Sequence, residues 1–367
     1  MPGRQITIHN IADIAGVSAG TVSRVINGRP GVGASTRERI LGIVAEHGFT
    51  ANASAQRLSS GRANTIGVVF PFHASEFVMK PAYPALLGGL GDAAEEAGYD
   101  ILLLTIPTAD ALGRLTDAVQ QHRVDGIVLP AAGPQDPLVK RMIELKYPSV
   151  IIGHRGRSGG IPWVDASHDV ACYELTRLMI GAGRRRLAFF NGPPSVSACA
   201  LRSKGFWSAV NESSGSVDAS EEHVVGFEPA AINAKVSELL ARPARELPTA
   251  IVGASDTIAV GCLEVARKLG LGVPDQLAVS GFDDSSFAQY TTPALSTVRM
   301  PLRDTGSMAA QMLFALIEGR PLRRSHIVLP TEIVLRDSTP RDPDCSPPDV
   351  GKVGNTTPSP VRKGRPS

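Results

Sequence analysis

The chain has 367 residues, of which 43% are hydrophobic and 20% charged. That mixture buries large cores, excludes global disorder and, at roughly 150 residues per domain, predicts two or three domains. The formal net charge is only +2 but unevenly spread. Residues 1–62 hold seven Arg against Asp13, Glu38 and Glu46, a net +4, and residues 340–367 carry +2, which leaves −4 between them. A basic head on an acidic body predicts that only the head meets a polyanion. No apolar run reaches the roughly 18 residues that span a bilayer. Met1 to Asn10 is too polar for a signal peptide, so neither a membrane protein nor a secreted one is expected. Cys172, Cys199, Cys262 and Cys345 are scattered, with no Cys-x-x-Cys pair. Their scatter argues against a zinc site or disulfide scaffold and fits a reducing cytosol.

In chain order, Thr7 caps a first helix, with Asn10 at its third position. Ile11, Ile14 and Ala15 form its apolar face, Gly16 suits the left-handed turn that ends it, and Val17 packs inward. Ser18 caps a second helix with Val22, Val25 and Ile26 on one face and Ala19, Gly20, Ser23, Arg24 and Asn27 on the other. Ser35 and Glu38 make a capping box for a third helix. Its core face is Ile40, Leu41, Val44 and Ala45, and Gly48 stops it. Two short helices joined by a Gly-containing turn, then a third, make a helix-turn-helix. A short, well-capped second helix lets its N-terminal turn enter a major groove. Thr7, Ser18, Thr21, Ser23 and Asn27 offer small groups to phosphates, and Arg24 offers a long donor to a base edge, ideally guanine. Spacing alone equally allows a three-helix bundle that docks on the body.

Residues 52–61 follow, with Asn52 as a cap, Gly61 as a stop and Leu58 as the one large apolar side chain. So short and polar a helix is marginal in water. It reads as a linker with one buried leucine, or as a hinge helix that orders on DNA with Leu58 wedged into the minor groove.

The run Ile6 to Asn27, ITIHNIADIAGVSAGTVSRVIN, resembles the head of the lac-repressor (LacI) family of bacterial transcription regulators, and Asn52 to Leu58 resembles that family's hinge helix. The likeness continues to about Asp337. It implies a helix-turn-helix domain over residues 1–50, a hinge helix and linker over 51–62, an effector-binding and dimerisation core over 63–338 and a disordered tail over 339–367. By position, Ala19, Gly20 and Arg24 fall where the family reads bases. Thr7, Ser18, Thr21, Ser23, Asn27 and Asn52 fall where it holds phosphates, and Ala55 and Leu58 fall on its minor-groove face. Many members carry larger polar residues where Ala19 and Gly20 stand. Alanine can touch a thymine methyl, while glycine offers no side chain and costs about 1 kcal/mol inside a helix. Arg24 and Leu58 are therefore expected to carry an unusually large share of sequence discrimination.

From Thr65 the pattern alternates buried strands with amphipathic helices. Strands are expected at Thr65–Phe70, Tyr99–Thr105, Gly126–Leu129, Ser149–Ile152, Leu187–Asn191, Thr249–Gly253 and Leu277–Gly281. Helices are expected at Pro84–Ala97, Ala109–His122, Asp169–Gly183 and Asp256–Leu269, among others. This is the βαβ signature of open parallel sheets, long enough for two halves with a cleft. The resemblance implies an α/β periplasmic-binding-protein-like core of two doubly wound subdomains, crossed three times by the chain.

Ligands in such folds sit at the carboxyl ends of the strands. Those ends are Pro71-Phe72-His73, Pro130-Ala131, Gly153-His154-Arg155, Asn191-Gly192, Ser255-Asp256 and Phe282-Asp283. Converging aromatic, cationic, anionic and hydroxyl groups suit a small polyhydroxylated ligand. The resemblance assigns effector binding to Arg202 and Asp283. It puts Ser255 where many members have an asparagine, Phe227 near a ring-stacking aromatic and His168 near a polar ligand contact. Phe72 and His73 belong to a segment that departs from the family's spacing. His168 reads equally as a surface or capping residue, and Asp256 as a helix cap. The expected effector is a sugar or sugar derivative, with a nucleobase as the alternative.

The chain lacks a Gly-x-Ser-x-Gly elbow, a Walker phosphate loop and His-Glu-x-x-His. Gly89-Leu90-Gly91-Asp92 lies inside a helical pattern rather than after a strand. No catalytic residue, cofactor or metal is expected. A solute-binding protein would need an export signal in place of the basic head. Residues 340–367 hold seven Pro and no Leu, Ile, Met or aromatic residue, so this tail should be disordered. It cannot supply the leucine heptads that make some family members tetramers, so a homodimer is expected. The whole reads as a cytoplasmic, nucleoid-associated repressor whose affinity for operator DNA is set by a cleft-bound effector.

Overall fold

The structure, a computed structural model, describes residues 6–26, 28–49, 62–70, 82–105, 108–130, 136–153 and 159–340. Asn27, Asn52, Ala55, Leu58, Phe72 and His73 lie outside the described residues, as do the expected hinge before Arg62 and the expected tail beyond Pro340.

The head is three helices, α1 (Ile8–Ala15), α2 (Ala19–Ile26) and α3 (Ala34–Glu46). Thr7 and Asn10 form a reciprocal capping box, in which the Asn10 amide donates to Thr7 Oγ1 at 3.4 Å and the Thr7 amide donates to Asn10 Oδ1 at 3.0 Å. Gly16 ends α1 at φ 63°, a conformation that costs glycine nothing. Ser18 Oγ accepts from the Thr21 amide at 3.2 Å and so caps α2. Ile11, Ala12, Ala15, Val22, Val25 and Ile40 meet in one small core, with Val17 packed against it.

Three expectations for the head are corrected. Ile14 is 53% exposed and Ala12 is buried instead, because α1 presses a narrow stripe of small residues against its neighbours. The α3 helix starts at Ala34 after Gly33, with no side-chain cap. Ser35 is then already inside the helix, so the Ser35–Glu38 box does not form, and Leu41, 100° round from the buried Ile40, is 46% exposed. Arg37, from α3, donates to the carbonyls of Val25 at 3.4 Å and Arg29 at 2.7 Å, tying down the C-terminal end of α2.

The body holds two parallel sheets. The first has the order β11-β5-β4-β3-β1-β2, from β1 (Thr65–Phe70), β2 (Asp100–Thr105), β3 (Gly126–Pro130), β4 (Ser149–Ile152), β5 (Trp163–Ala166) and β11 (His326–Leu329). Helices α4 (Ala82–Ala97), α5 (Thr108–Gln120), α6 (Pro137–Leu145) and α11 (Leu302–Ile317) cover it. Its central strands β1, β3, β4 and β5 are buried on both faces, and their period-two alternation sorts side chains into two cores. Val69, Ile127, Leu129 and Ile151 meet α5 and α6. Val68, Phe70, Val128, Val150 and Ile152 meet α4 and α11. A Cβ on Gly89 would lie 1.8 Å from the Arg303 carbonyl oxygen, and one on Gly306 would lie 2.2 Å from that of Leu86. Gly89 and Gly306 are thus what lets α4 and α11 cross in backbone contact.

The second sheet has the order β7-β6-β8-β9, from β6 (Arg186–Asn191), β7 (Ala219–Val224), β8 (Ala250–Gly253) and β9 (Ala278–Ser280). Helices α7 (His168–Gly181), α8 (Ser197–Glu212), α9 (Pro229–Leu240) and α10 (Asp256–Lys268) complete this half. The chain crosses between halves three times: from β5 into α7, from β10 (Thr297–Arg299) into α11, and from β11 into β12 (Glu332–Val334). β10 and β12 pair antiparallel, so two crossovers share one ribbon in the second half. The strands absent from the sequence reading, β5, β7, β10, β11 and β12, are short, or polar like β7, whose ASEEHV carries no apolar alternation. Tyr99, expected at the head of β2, precedes it and stacks on Phe314 at 4.8 Å.

Candidate effector cleft and nucleic-acid interface

The carboxyl ends of β6, β8 and β9 bring the second half's polar residues together. Arg202, on the second turn of α8, is almost wholly buried. Its guanidinium lies 3.9 Å from the centre of the Phe282 ring, donates to the Ala254 carbonyl, and reaches Asp283 Oδ1 at 3.3 Å. Its Nε and one terminal nitrogen both stand 3.3 Å from His168 Nδ1. His168 Nε2 is 3.2 Å from Asp165 Oδ1, on β5 of the other half. An acceptor at Nδ1 and a donor at Nε2 assign His168 as the neutral Nε2–H tautomer. The chain Asp165, His168, Arg202, Asp283 therefore runs through the first crossover into the cleft.

Asp283 has φ 113° and Asp284, beside it, φ 51°. Two consecutive non-glycine residues at positive φ are strained, and such strain persists where surroundings over-determine it. Burial pushes the Asp283 carboxyl up to about 6, against the lowering effect of Arg202. Asp256 is fully buried and rises to about 7, first through burial and then through the nearby charge of Asp283. It is not a helix cap, as expected from sequence. Ser255 is the cap of α10, accepting from the Ile258 amide at 3.2 Å. Asp256, one residue on, accepts instead from the Ser285 amide at 2.6 Å and Thr297 Oγ1 at 2.5 Å. Phe227 packs at the end of β6, its ring so close to Gly192 that a Cβ there would meet it at 2.7 Å. His168, Arg202, Ser255 and Asp283 thus gather at one end of the second half, with Phe227 at its margin.

Tyr83, at the start of α4, was not singled out from sequence. Its ring packs edge-on against Phe70 at 4.7 Å, at the carboxyl end of β1. Its phenol is pushed up to about 12 by burial, then by Asp283, then by Cys199. Asp283 and Cys199 belong to the opposite half, so Tyr83 faces them across the cleft. An aromatic in a helix's first turn has no sequence signal of its own; only the neighbouring strand end points to it.

In the head, Ser18, Gly20 and Arg24 are exposed and Ala19, Thr21 and Ser23 half-buried, all on α2 or its cap. Ser18 Oγ and Thr21 Oγ1 are 2.9 Å apart, a pair of hydroxyls at the helix's N-terminal end. Thr7 Oγ1 is engaged by Asn10 Oδ1 at 2.7 Å. Arg24 lies over the turn after α2, its guanidinium 3.5 Å from where a Gly31 Cβ would stand.

A helix-turn-helix head on a two-lobed body whose strand ends converge on a cleft defines a ligand-responsive DNA-binding regulator. Residues 7–52 match the family described as bacterial regulatory proteins, lacI family, and residues 176–339 a periplasmic binding protein-like domain. The regulator CelR of Thermobifida fusca is 31% identical over 91% of this chain and 98% of its own length. Catabolite control protein A of Priestia megaterium is 30% identical over 91% and 99%. Among solved structures, a CelR–cellobiose complex has a TM-score of 0.69 at 29% identity, covering 91% of this chain and 99% of that one. A lac repressor dimer bound to operator and the anti-inducer ONPF has a TM-score of 0.80 at 23% identity over 92% and 99%, a likeness of fold. The chain belongs to the lacI family of bacterial regulatory proteins, and it is a DNA-binding transcription regulator. Among the described residues no helix is long and apolar enough to cross a membrane, and no cluster of His, Cys, Asp and Glu could hold a metal ion.

Proposed function

We propose that this regulator is a cytoplasmic homodimeric repressor whose operator affinity is set by a sugar or sugar derivative, and that it carries out no catalytic step. Residues 1–50 bind DNA, 51–62 form the hinge, 63–338 hold the effector and the dimer contacts, and 339–367 are a tail. The observation that carries the effector reading is the buried Arg202–Asp283 pair at 3.3 Å, flanked by aromatic rings. A carboxylate accepts paired hydroxyls, a guanidinium donates to ring or hydroxyl oxygens, and an aromatic face covers the sugar's apolar side. The solved complex of CelR with cellobiose supports the ligand class. His168, Phe227, Ser255 and Tyr83 complete the site, and Phe72 and His73 are further effector contacts in this reading.

At the DNA, two heads bind a near-palindromic operator through successive major grooves, and Leu58 of each hinge enters the minor groove between them. Arg24 reads a base; Ala19 and Gly20 approach the base edges; Thr7, Ser18, Thr21, Ser23, Asn27 and Asn52 hold phosphates. The effector favours one angle between the halves and changes operator affinity by its differential affinity for the two states. A dimer touching about ten phosphates loses on the order of 10³–10⁵ in affinity between 50 and 200 mM salt. The test is a thermal-shift screen of the full chain against mono- and disaccharides, cellobiose included, and nucleosides. A ligand at 100 times its Kd adds about 2.7 kcal/mol of stability. Stabilisation by nucleosides and by none of the sugars overturns the sugar reading.

A further inference from the structure

Asp283 and Asp284 are neighbours in sequence but face different parts of the molecule. Asp283 meets Arg202 in the cleft. Asp284 meets the crossovers: its Oδ2 accepts from Arg299 Nε at 2.8 Å, and its Oδ1 accepts from Arg336 at 2.6 Å. Arg299 is the last residue of β10, one step before the chain leaves for α11, and its other arm reaches Glu332 at 2.6 Å. Glu332 is the first residue of β12, where the chain has just returned from β11. Arg336 lies just beyond β12 and also donates to the Leu295 carbonyl at 2.7 Å, just ahead of β10. One carboxylate thus fastens both strands of the two-crossover ribbon.

The loop carrying both aspartates is bound to β10 by backbone as well. The Asp283 amide donates to the Val298 carbonyl at 2.9 Å, and the Asp284 amide to Thr297 Oγ1 at 3.3 Å. The same Thr297 hydroxyl donates to buried Asp256. The positive φ of both aspartates is what lets adjacent side chains turn to the cleft and to the ribbon. A cavity of about 480 Å³ lined by Arg299–Asp304 and Pro330–Glu332 flanks the crossovers. The side chains of Thr297 and Val298 are buried, so the ionic network fastens the exposed, Arg299 end of the ribbon.

We propose that Asp284 is the positioning residue that transmits occupancy of the cleft to the angle between the two halves, through Arg299, Arg336 and the β10–β12 ribbon. A ligand that engages Asp283 moves or immobilises the loop, and Asp284 carries that displacement to both crossovers at once. This rests on the cleft being the effector site, but the clamp itself acts without ligand or DNA, and the first arm of its test uses neither.

The test places spin labels at Arg114→Cys in α5 and Ser237→Cys in α9 of the full chain, in a Cys345→Ser background and diluted with unlabelled protein. Distances between the labels are measured by pulsed electron resonance. Wild type is expected to give one narrow distribution. Asp284→Asn and Arg336→Gln should each at least double its width, the double variant should add nothing further, and Asp284→Glu should restore most of the narrowness. A width unchanged in Asp284→Asn, or lowered thermal stability with no change in the distribution, overturns the proposal. With cellobiose as probe, Asp283→Asn should abolish any ligand-induced shift while keeping the narrow ligand-free distribution. If wild type gives the narrow distribution but no shift with any sugar, the sugar reading fails and the clamp stands on its ligand-free result.

Discussion

Replacing Arg202 with methionine removes the cation paired with Asp283 while roughly keeping the volume of the side chain. Two losses follow. The hydrogen bonds to the Ala254 carbonyl and His168 disappear at every pH, at a cost of roughly 1–2 kcal/mol. The ion pair disappears only where Asp283 is ionised. Its carboxyl is already raised to about 6 by burial, above the ordinary carboxylate range. A carboxyl raised on folding stabilises the fold below its unfolded value and loses that contribution as pH rises through about 6. At pH 8 the wild-type carboxylate is charged and leans on Arg202, and breaking a buried pair costs about 3–5 kcal/mol. At pH 5.5 Asp283 is largely neutral and needs no partner, so the total loss should fall to roughly half. Urea unfolding followed by circular dichroism reads both values. With a slope of roughly 3 kcal/mol per molar, the midpoint should drop by roughly 1.3–2.3 M at pH 8 and by about half that at pH 5.5. An equal loss at the two pH values, or less than about 1 kcal/mol at pH 8, refutes the pairing argument.

Asp256, raised to about 7 on folding, makes wild-type stability fall as pH rises from about 4 to 7, and Asp256→Asn should flatten that slope in melts taken across the range. Gly89→Ala should destabilise by at least about 1–3 kcal/mol although alanine is the better helix former, because its methyl would sit 1.8 Å from the Arg303 carbonyl; a neutral or stabilising result in chemical denaturation refutes the close crossing. Arg24→Ala should cost about 1–3 kcal/mol in operator binding and relax preference at one base pair, as read by selection from random duplexes. Larger polar residues at Ala19 and Gly20 should change the selected sequence, and an unchanged preference counts against base contacts there.

Local chemistry wrote most of the head into the sequence. Thr7, Gly16 and Ser18 act through bonds to amides three residues away or through their own φ, so spacing sufficed to find α1, the turn and α2. The Val/Ile-rich strands of the two sheets were legible for a related reason: a strand buried on both faces must be apolar throughout. Tertiary structure decided what depends on distant partners. Leu41 and Ile14 have the composition of core residues, and only packing against neighbouring helices chose Ile40 and Ala12 over them. β7 is polar because Glu222 accepts from Asn191, Ser203 and Trp207, partners that sequence order conceals. Tyr83 feels the charge of Asp283 from the other half, and Asp284 meets Arg299 and Arg336, partners that sequence order does not announce. Secondary structure is fixed by neighbours within about four residues, whereas a cleft between two halves is made by residues up to two hundred apart.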